Sequence, residues 1–136
     1  MQPEFSLEHI GLAARDTVAL KDWYERVLGA RVIFANGQNP PAFFLELPGG
    51  VLIEIYEGDF MLKEISDNKM NGWRHLALRV ASIEAARQEL ESRGVKITEP
   101  IKPAGGGGRV LFFQDPEGNL LHLVERPAGS LFQRGG

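Results

Sequence analysis

The chain holds three histidines, and all three, together with one glutamate, fall at equivalent positions of an internal repeat. The segment Glu8-His9-Ile10-Gly11-Leu12 is answered 66 residues later by Arg74-His75-Leu76-Ala77-Leu78. A second match, Pro48-Gly49-Gly50-Val51-Leu52-Ile53-Glu54, is answered 68 residues later by Pro116-Glu117-Gly118-Asn119-Leu120-Leu121-His122. The repeat therefore pairs His9 with His75 and Glu54 with His122. Three imidazoles and one carboxylate make a donor set suited to a single divalent transition metal, with Ni, Co, Mn, Fe and Zn all admissible.

The elements around these residues decide whether they can meet. Residues Phe5 to Ala14 read as a strand. Asp16-Thr17 then offers helix N-cap chemistry, Val18, Leu20, Trp23, Tyr24, Val27 and Leu28 recur at helical spacing, and Gly29 ends the helix. Strand-like runs follow at Arg31–Ala35, Ala42–Leu47 and Val51–Tyr56, separated by the turn signals Asn36-Gly37 and Pro48-Gly49-Gly50. The order β-α-β-β-β repeats in the second half. Its strand is Trp73–Val80, its helix Ile83–Arg93 behind the Ser82 cap, and its further strands lie near Val95–Thr98, Val110–Gln114 and Asn119–Glu125. The expected organisation is a single α+β domain over 1–136, with module one at 5–57, a connection at 58–72, module two at 73–126 and a tail at 127–136. A short helix is expected near Met61–Ile65.

Side chains alternate across a strand, so parity assigns each residue a face. Ile10 and Leu12 share one face of the first strand, and His9, Gly11 and Ala13 share the other. Ile53 and Ile55 oppose Glu54, Leu76 and Leu78 oppose His75, and Leu121 and Leu123 oppose His122. Each strand thus has an aliphatic face for its module's helix and carries its candidate ligand on the reverse. A single histidine in a strand is more often a hydrogen-bonded structural group, but here all three obey both the repeat and the parity. Glu8, Glu57 and Glu125 lie off that parity or at strand ends and read as solvated charges.

Composition narrows the field. A net charge of −3 with no basic stripe gives no reason to expect nucleic acid. No apolar run approaches the roughly 20 residues needed to cross a bilayer, and no basic-then-apolar leader opens the sequence. A cytoplasmic location is the expectation. The absence of cysteine removes disulfides, thiolate ligands and a thiol nucleophile. The run Gly105–Gly108 lacks the spacing of a nucleotide-binding loop and reads as a flexible loop before a strand.

In these motifs the chain resembles the vicinal oxygen chelate superfamily, which includes glyoxalase I, methylmalonyl-CoA epimerase, fosfomycin-resistance transferases, bleomycin-binding proteins and extradiol dioxygenases. The resemblance spans about residues 5 to 126. It rests on Leu7 to Leu12, on Trp23-Tyr24-Glu25-Arg26-Val27-Leu28-Gly29, on Leu52 to Ile55, on His75 to Val80 and on Asp115 to His122. It implies paired βαβββ modules forming a curved mixed sheet around a metal, a substrate that chelates the metal through neighbouring oxygens, and a homodimer. His9, Glu54 and His75 match the family's ligand positions. His122 departs from the pattern, since glyoxalase I has a glutamate there, and that carboxylate is a candidate base.

Three readings follow. The first is a redox-neutral isomerase, epimerase or lyase of the glyoxalase type. Its metal keeps two adjacent positions open for a hydroxy-carbonyl or enediolate, and Glu54, the one carboxylate in the set, serves as the base. The second is a non-haem iron ring-cleaving dioxygenase. A fourth protein ligand and the lack of a spare histidine count against it. The third is a non-catalytic binding or antibiotic-resistance protein: the intact ligand set disfavours simple binding, and the lack of a distinct cation-binding loop counts against a transferase acting on an antibiotic such as fosfomycin. A small, anionic substrate is expected, with Arg79 and Arg109 as its contacts. Arg79 shares parity with His75, and Arg109 follows the glycine run, whose freedom suits a lid.

Overall fold

Asp16 has extended backbone, and its carboxylate accepts from the Ala19 N–H at 2.9 Å, which starts helix α1, Thr17–Leu28. Gly29 ends that helix with φ 72°, in the left-handed region that a side chain disfavours. Between these caps Leu20, Trp23, Tyr24 and Val27 form the buried stripe. The computed structural model describes residues 5–59, 65–130 and 132. The chain divides into two compact units, Met1–Met61 and Leu62–Gly136, so the expected connection over 58–72 is shared between them. The short helix expected near Met61–Ile65 falls mostly on 60–64, outside the described residues.

The first unit contains β1 (His9–Ala14), α1, β2 (Arg31–Ala35), β3 (Phe43–Glu46) and β4 (Leu52–Glu57). Its sheet runs β1-β4-β3-β2, with β1 parallel to β4 and the other pairs antiparallel. Helix α1 packs on β3 and β4, where Phe43, Leu45, Ile53 and Ile55 are buried. The tight turn at Pro48-Gly49-Gly50, closed by the Leu47 N–H to the Val51 carbonyl at 2.8 Å, fixes the β3–β4 register and sets Phe44 opposite Glu54.

The second unit repeats the order: β5 (His75–Arg79), α2 (Ile83–Ser92), β6 (Lys102–Pro103), β7 (Arg109–Gln114) and β8 (Leu120–Glu125), with sheet order β5-β8-β7-β6. Helix α2 lies on β7 and β8 over Leu111, Phe113, Leu121 and Leu123. The β7–β8 turn is built on buried Asp115. Its carboxylate accepts from the Glu117 and Asn119 N–H groups at 2.9 and 3.0 Å and from the Asn119 side-chain amide at 2.8 Å. That turn places Phe112 opposite His122.

Two βαβββ modules are therefore present, as expected, but one strand moves. No strand forms at Val95–Thr98. Val95 and Ile97 are buried, and the Val95 N–H closes the end of α2 on the Leu90 carbonyl, so the alternation there serves packing rather than a ladder. The partner of β7 is the two-residue β6, where Pro103 has no N–H to extend the pairing. The apolar faces of β1 and β5 are also less covered than parity suggested. Ile10 is 36% exposed, and Leu12, Leu76 and Leu78 are half-buried, because β1 and β5 are edge strands and each helix sits over their neighbours.

Candidate functional site

In the first unit the fold brings His9 and Glu54 together. Their strands pair in parallel with Gly11 opposite Glu54, so the histidine lies diagonal to the carboxylate on the same face. His9 Nε2 is 3.5 Å from Glu54 Oε1, and each side chain is 32% exposed. The other ring nitrogen, Nδ1, is 2.9 Å from Glu8 Oε1. A carboxylate only accepts, so Nδ1 donates to Glu8, and Nε2 is the ring nitrogen turned toward Glu54. Phe44 stands edge-on to the imidazole, with centroids 5.0 Å apart. Gly11 makes room for Tyr56, whose ring would lie 3.2 Å from a Cβ built there.

The second unit repeats this arrangement with a second imidazole in place of the carboxylate. The rings of His75 and His122 lie 4.5 Å apart, and Phe112 touches both, at 5.8 Å and 4.8 Å between centroids. His75 Nδ1 is 2.8 Å from Asn68 Oδ1, and His122 Nδ1 is 3.1 Å from the Leu123 carbonyl. With the amide oriented so that its oxygen accepts, both rings are protonated on Nδ1 and both offer Nε2. His122 is buried. Burial pushes its pKa down, and the bond to the Leu123 carbonyl partly opposes the shift. The nearby His75 and Arg126 lower it further, so the neutral, metal-competent form is favoured.

Each unit thus unites two of the four expected donors, His9 with Glu54 and His75 with His122. Among the described residues, no group of three or more His, Cys, Asp or Glu side chains is placed to hold a metal ion. The donor chemistry nevertheless fits one. All three imidazoles have Nδ1 held by an oxygen, which leaves Nε2 as the atom each can offer, the arrangement that orients histidine ligands in metalloproteins. Glu8 is a solvated charge, as expected, yet its carboxylate also accepts from a candidate ligand. Asn68, Phe44 and Phe112 were not anticipated. Phe44 and Phe112 were legible, being 68 residues apart and on the parity of Glu54 and His122.

The two arginines separate. Arg79 ends β5 on the face of His75, exposed, and its guanidinium has no partner among the described residues. Arg109 is not available for the substrate contact expected of it. It shares the parity of Leu111 and Phe113, on the helix-bearing face. There it binds Glu84 of α2 through two bonds of 2.6 and 3.0 Å and Glu125 of β8 at 2.8 and 3.1 Å. Both carboxylates hold pKa values below the usual range. The Arg109 bond is the main cause for Glu84, and the Ile83 N–H, followed by Arg109, for Glu125. Glu125 is therefore an ion-pair and helix-capping group, not a solvated charge. The glycine run expected as a lid is a pinned turn. Arg126 donates to the carbonyls of Gly105 and Gly107 at 2.6 and 2.7 Å, and a Cβ on Gly108 would meet the Glu125 carbonyl oxygen at 2.0 Å.

The paired βαβββ modules and their repeated donor faces have a counterpart among known proteins. The family model for the Glyoxalase/Bleomycin resistance protein/Dioxygenase superfamily matches residues 6–123, and the chain belongs to that superfamily. The uncharacterized protein YwkD of Bacillus subtilis (strain 168) is 32% identical over 125 residues, covering 89% of this chain and 97% of that protein. A glyoxalase family protein from Enterococcus faecalis has a similar structure, with TM-score 0.74 and 29% identity over 88% of this chain and 97% of the other. The fosfomycin resistance protein FosX from Listeria monocytogenes, solved with Mn(II) and 1S,2S-dihydroxypropylphosphonic acid, shares the fold. Its TM-score is 0.67 and its identity 22%, over 90% of this chain and 91% of that one. Among the described residues no helix is long and apolar enough to cross a membrane.

Proposed function

We propose that this protein is a metal-dependent, redox-neutral enzyme of the glyoxalase type, an isomerase, epimerase or lyase acting on a small substrate with vicinal oxygens. His9, Glu54, His75 and His122 are the residues that would hold one divalent transition metal. The observation that carries this reading is the common state of the imidazoles: all three are anchored through Nδ1 and offer Nε2, and one of them faces the only carboxylate in the set. Superfamily membership supports it, as does the Mn(II) bound by FosX. When bound, the ion supplies Lewis-acid stabilisation of negative charge on substrate oxygens.

The protein's own groups do the rest. Glu54 takes and returns a proton at the carbon beside the substrate carbonyl, and its spacing of 3.5 Å from His9 Nε2 leaves its oxygens free of a short hydrogen bond to that ring. Glu8, Asn68 and the Leu123 carbonyl hold the imidazoles in one tautomer. Phe44 and Phe112 limit ring rotation and keep water from one side of each pair. We expect a homodimer in the cytoplasm.

The test is elemental analysis of protein purified without added metal, followed by reconstitution with Mn, Fe, Co, Ni and Zn and assay against a panel of hydroxy-carbonyl compounds. One equivalent of metal per chain and oxygen-independent turnover are expected. Failure to retain any of these metals after reconstitution overturns the reading.

A further inference from the structure

We propose that a cavity in the second unit binds the oxyanion end of a small organic substrate, with Lys96 as its cation. The cavity measures about 360 Å³ and lies where β7 and β8 meet the segment that follows α2. That is at the small end of the range for organic ligands, about 300–1,000 Å³. Phe112 and Leu120 line it from the face that carries His122, and Leu120 is the register partner of His75. Because Phe112 touches both imidazole rings, the cavity and the histidine pair share a wall.

The neutral and cationic polar groups of the lining are Lys96, Ser66, Thr98 and Gln114, which offer an ammonium, two hydroxyls and an amide. Glu99 also reaches the cavity, but its carboxylate lies 3.9 Å from Lys102 Nζ, which offsets its charge. Lys96 has no such partner among the described residues. Lys96 is therefore the lining's one cation, and it stands without an ion-pair partner, whereas the one carboxylate there has Lys102 beside it. That lining suits a short carbon skeleton ending in carboxylate or phosphonate. It also supplies a cation for an anionic substrate in place of Arg109, which Glu84 and Glu125 occupy.

The proposal rests on the glyoxalase-type reading in taking the substrate's other end to the histidine pair, but the cavity can be tested separately. Benzoate, phenylphosphonate and neutral benzamide present the same ring with different heads. Each is titrated into the isotopically labelled full chain as purified, with metal content measured on the same sample. Saturable NMR shifts at Lys96, Thr98 and Gln114 are expected with at least one of the two anions, and the stronger anion identifies the head group. Lys96→Met should weaken that anion about tenfold and leave benzamide unchanged, whereas Lys96→Arg should restore most of the affinity. Shifts confined to other residues, no saturable anion binding, or equal weakening of anion and benzamide in K96M overturns the proposal. If the anion binds at Lys96 in protein that retains no metal even after reconstitution, the metal reading fails alone and the cavity assignment stands.

Discussion

Phe44 and Phe112 hold the same position in two separate sheets. Each lies on the third strand of its module, opposite a candidate donor on the fourth, Glu54 in one unit and His122 in the other. Each ring also touches the histidine of its module's first strand, at 5.0 Å for His9 and 5.8 Å for His75. Cross-strand neighbours on one face are the contacts a sheet holds most rigidly. The repeat thus conserves an aromatic wall beside each donor pair even where the fourth-strand donor changes from carboxylate to imidazole.

The first prediction concerns Asn68, whose Oδ1 accepts from His75 Nδ1 at 2.8 Å. Removing it frees the His75 ring to rotate or to shift its proton to Nε2. Asn68→Ala should lower metal affinity by about tenfold or more, the usual cost of losing an orienting partner, with little change in Tm because the bond is exposed. Competition against a metal-sensitive chelating dye measures it. Unchanged affinity would show that the bond does not orient a ligand.

The second prediction tests His122 as a donor. It is buried, with Nδ1 committed to the Leu123 carbonyl, so Nε2 is the atom it can offer. His122→Ala should reduce metal affinity by about 100-fold or more, well beyond the loss of an orienting group. His122→Glu should retain metal, since a carboxylate is also a competent donor there. Equal affinity in wild type and the alanine variant would remove His122 from the ligand set.

The third prediction is that turnover consumes no O₂. Ring-cleaving oxygen chemistry calls for an acid–base histidine beyond the ligands, and the chain's three histidines are all in the proposed donor set, each with Nδ1 tied to an oxygen. Substrate loss should proceed at the same rate in an anaerobic cell. Oxygen uptake matching substrate loss would promote the dioxygenase reading instead.

Much of this was legible in the sequence because it depends on local periodicity. Asp16, Gly29 and Ser82 mark helix ends through their own side-chain or backbone chemistry, and α1 begins and ends where those signals fall. Parity separated Glu54 from Ile53 and Ile55 because alternation follows directly from the extended chain. Asn68 was not legible. It lies in an irregular connection, where no period predicts that its amide meets a strand residue seven positions on. Val95 and Ile97 misled for another reason: alternation reports burial, and burial here comes from packing without a ladder. Arg109 misled because the glycine run drew attention to its neighbours in sequence rather than to its face. Its parity with Leu111 and Phe113 already pointed away from His122.

That face gives the last prediction. Arg109 ties β7 to α2 through Glu84 and to β8 through Glu125, and Glu125 also caps the N-terminus of α2 at the Ile83 N–H. Three elements of the second unit therefore depend on one guanidinium, although the group is partly exposed and screening tempers its worth. Arg109→Met should lower Tm by a few degrees, and it should weaken anionic and neutral ligands equally, because the side chain lies off the donor face. The pH dependence has a definite sign. Glu84 and Glu125 have folded pKa values below their ordinary 4.5, so their contribution is fully present above that pH. It is lost as pH falls below 4.5 through the depressed folded values, because the unfolded chain binds protons first. The Tm gap between wild type and R109M should be constant from about pH 6 to 8 and should narrow below about pH 4.5. A selective loss of affinity for anionic ligands, with no change in Tm, would return Arg109 to the substrate site and refute its role as a clamp.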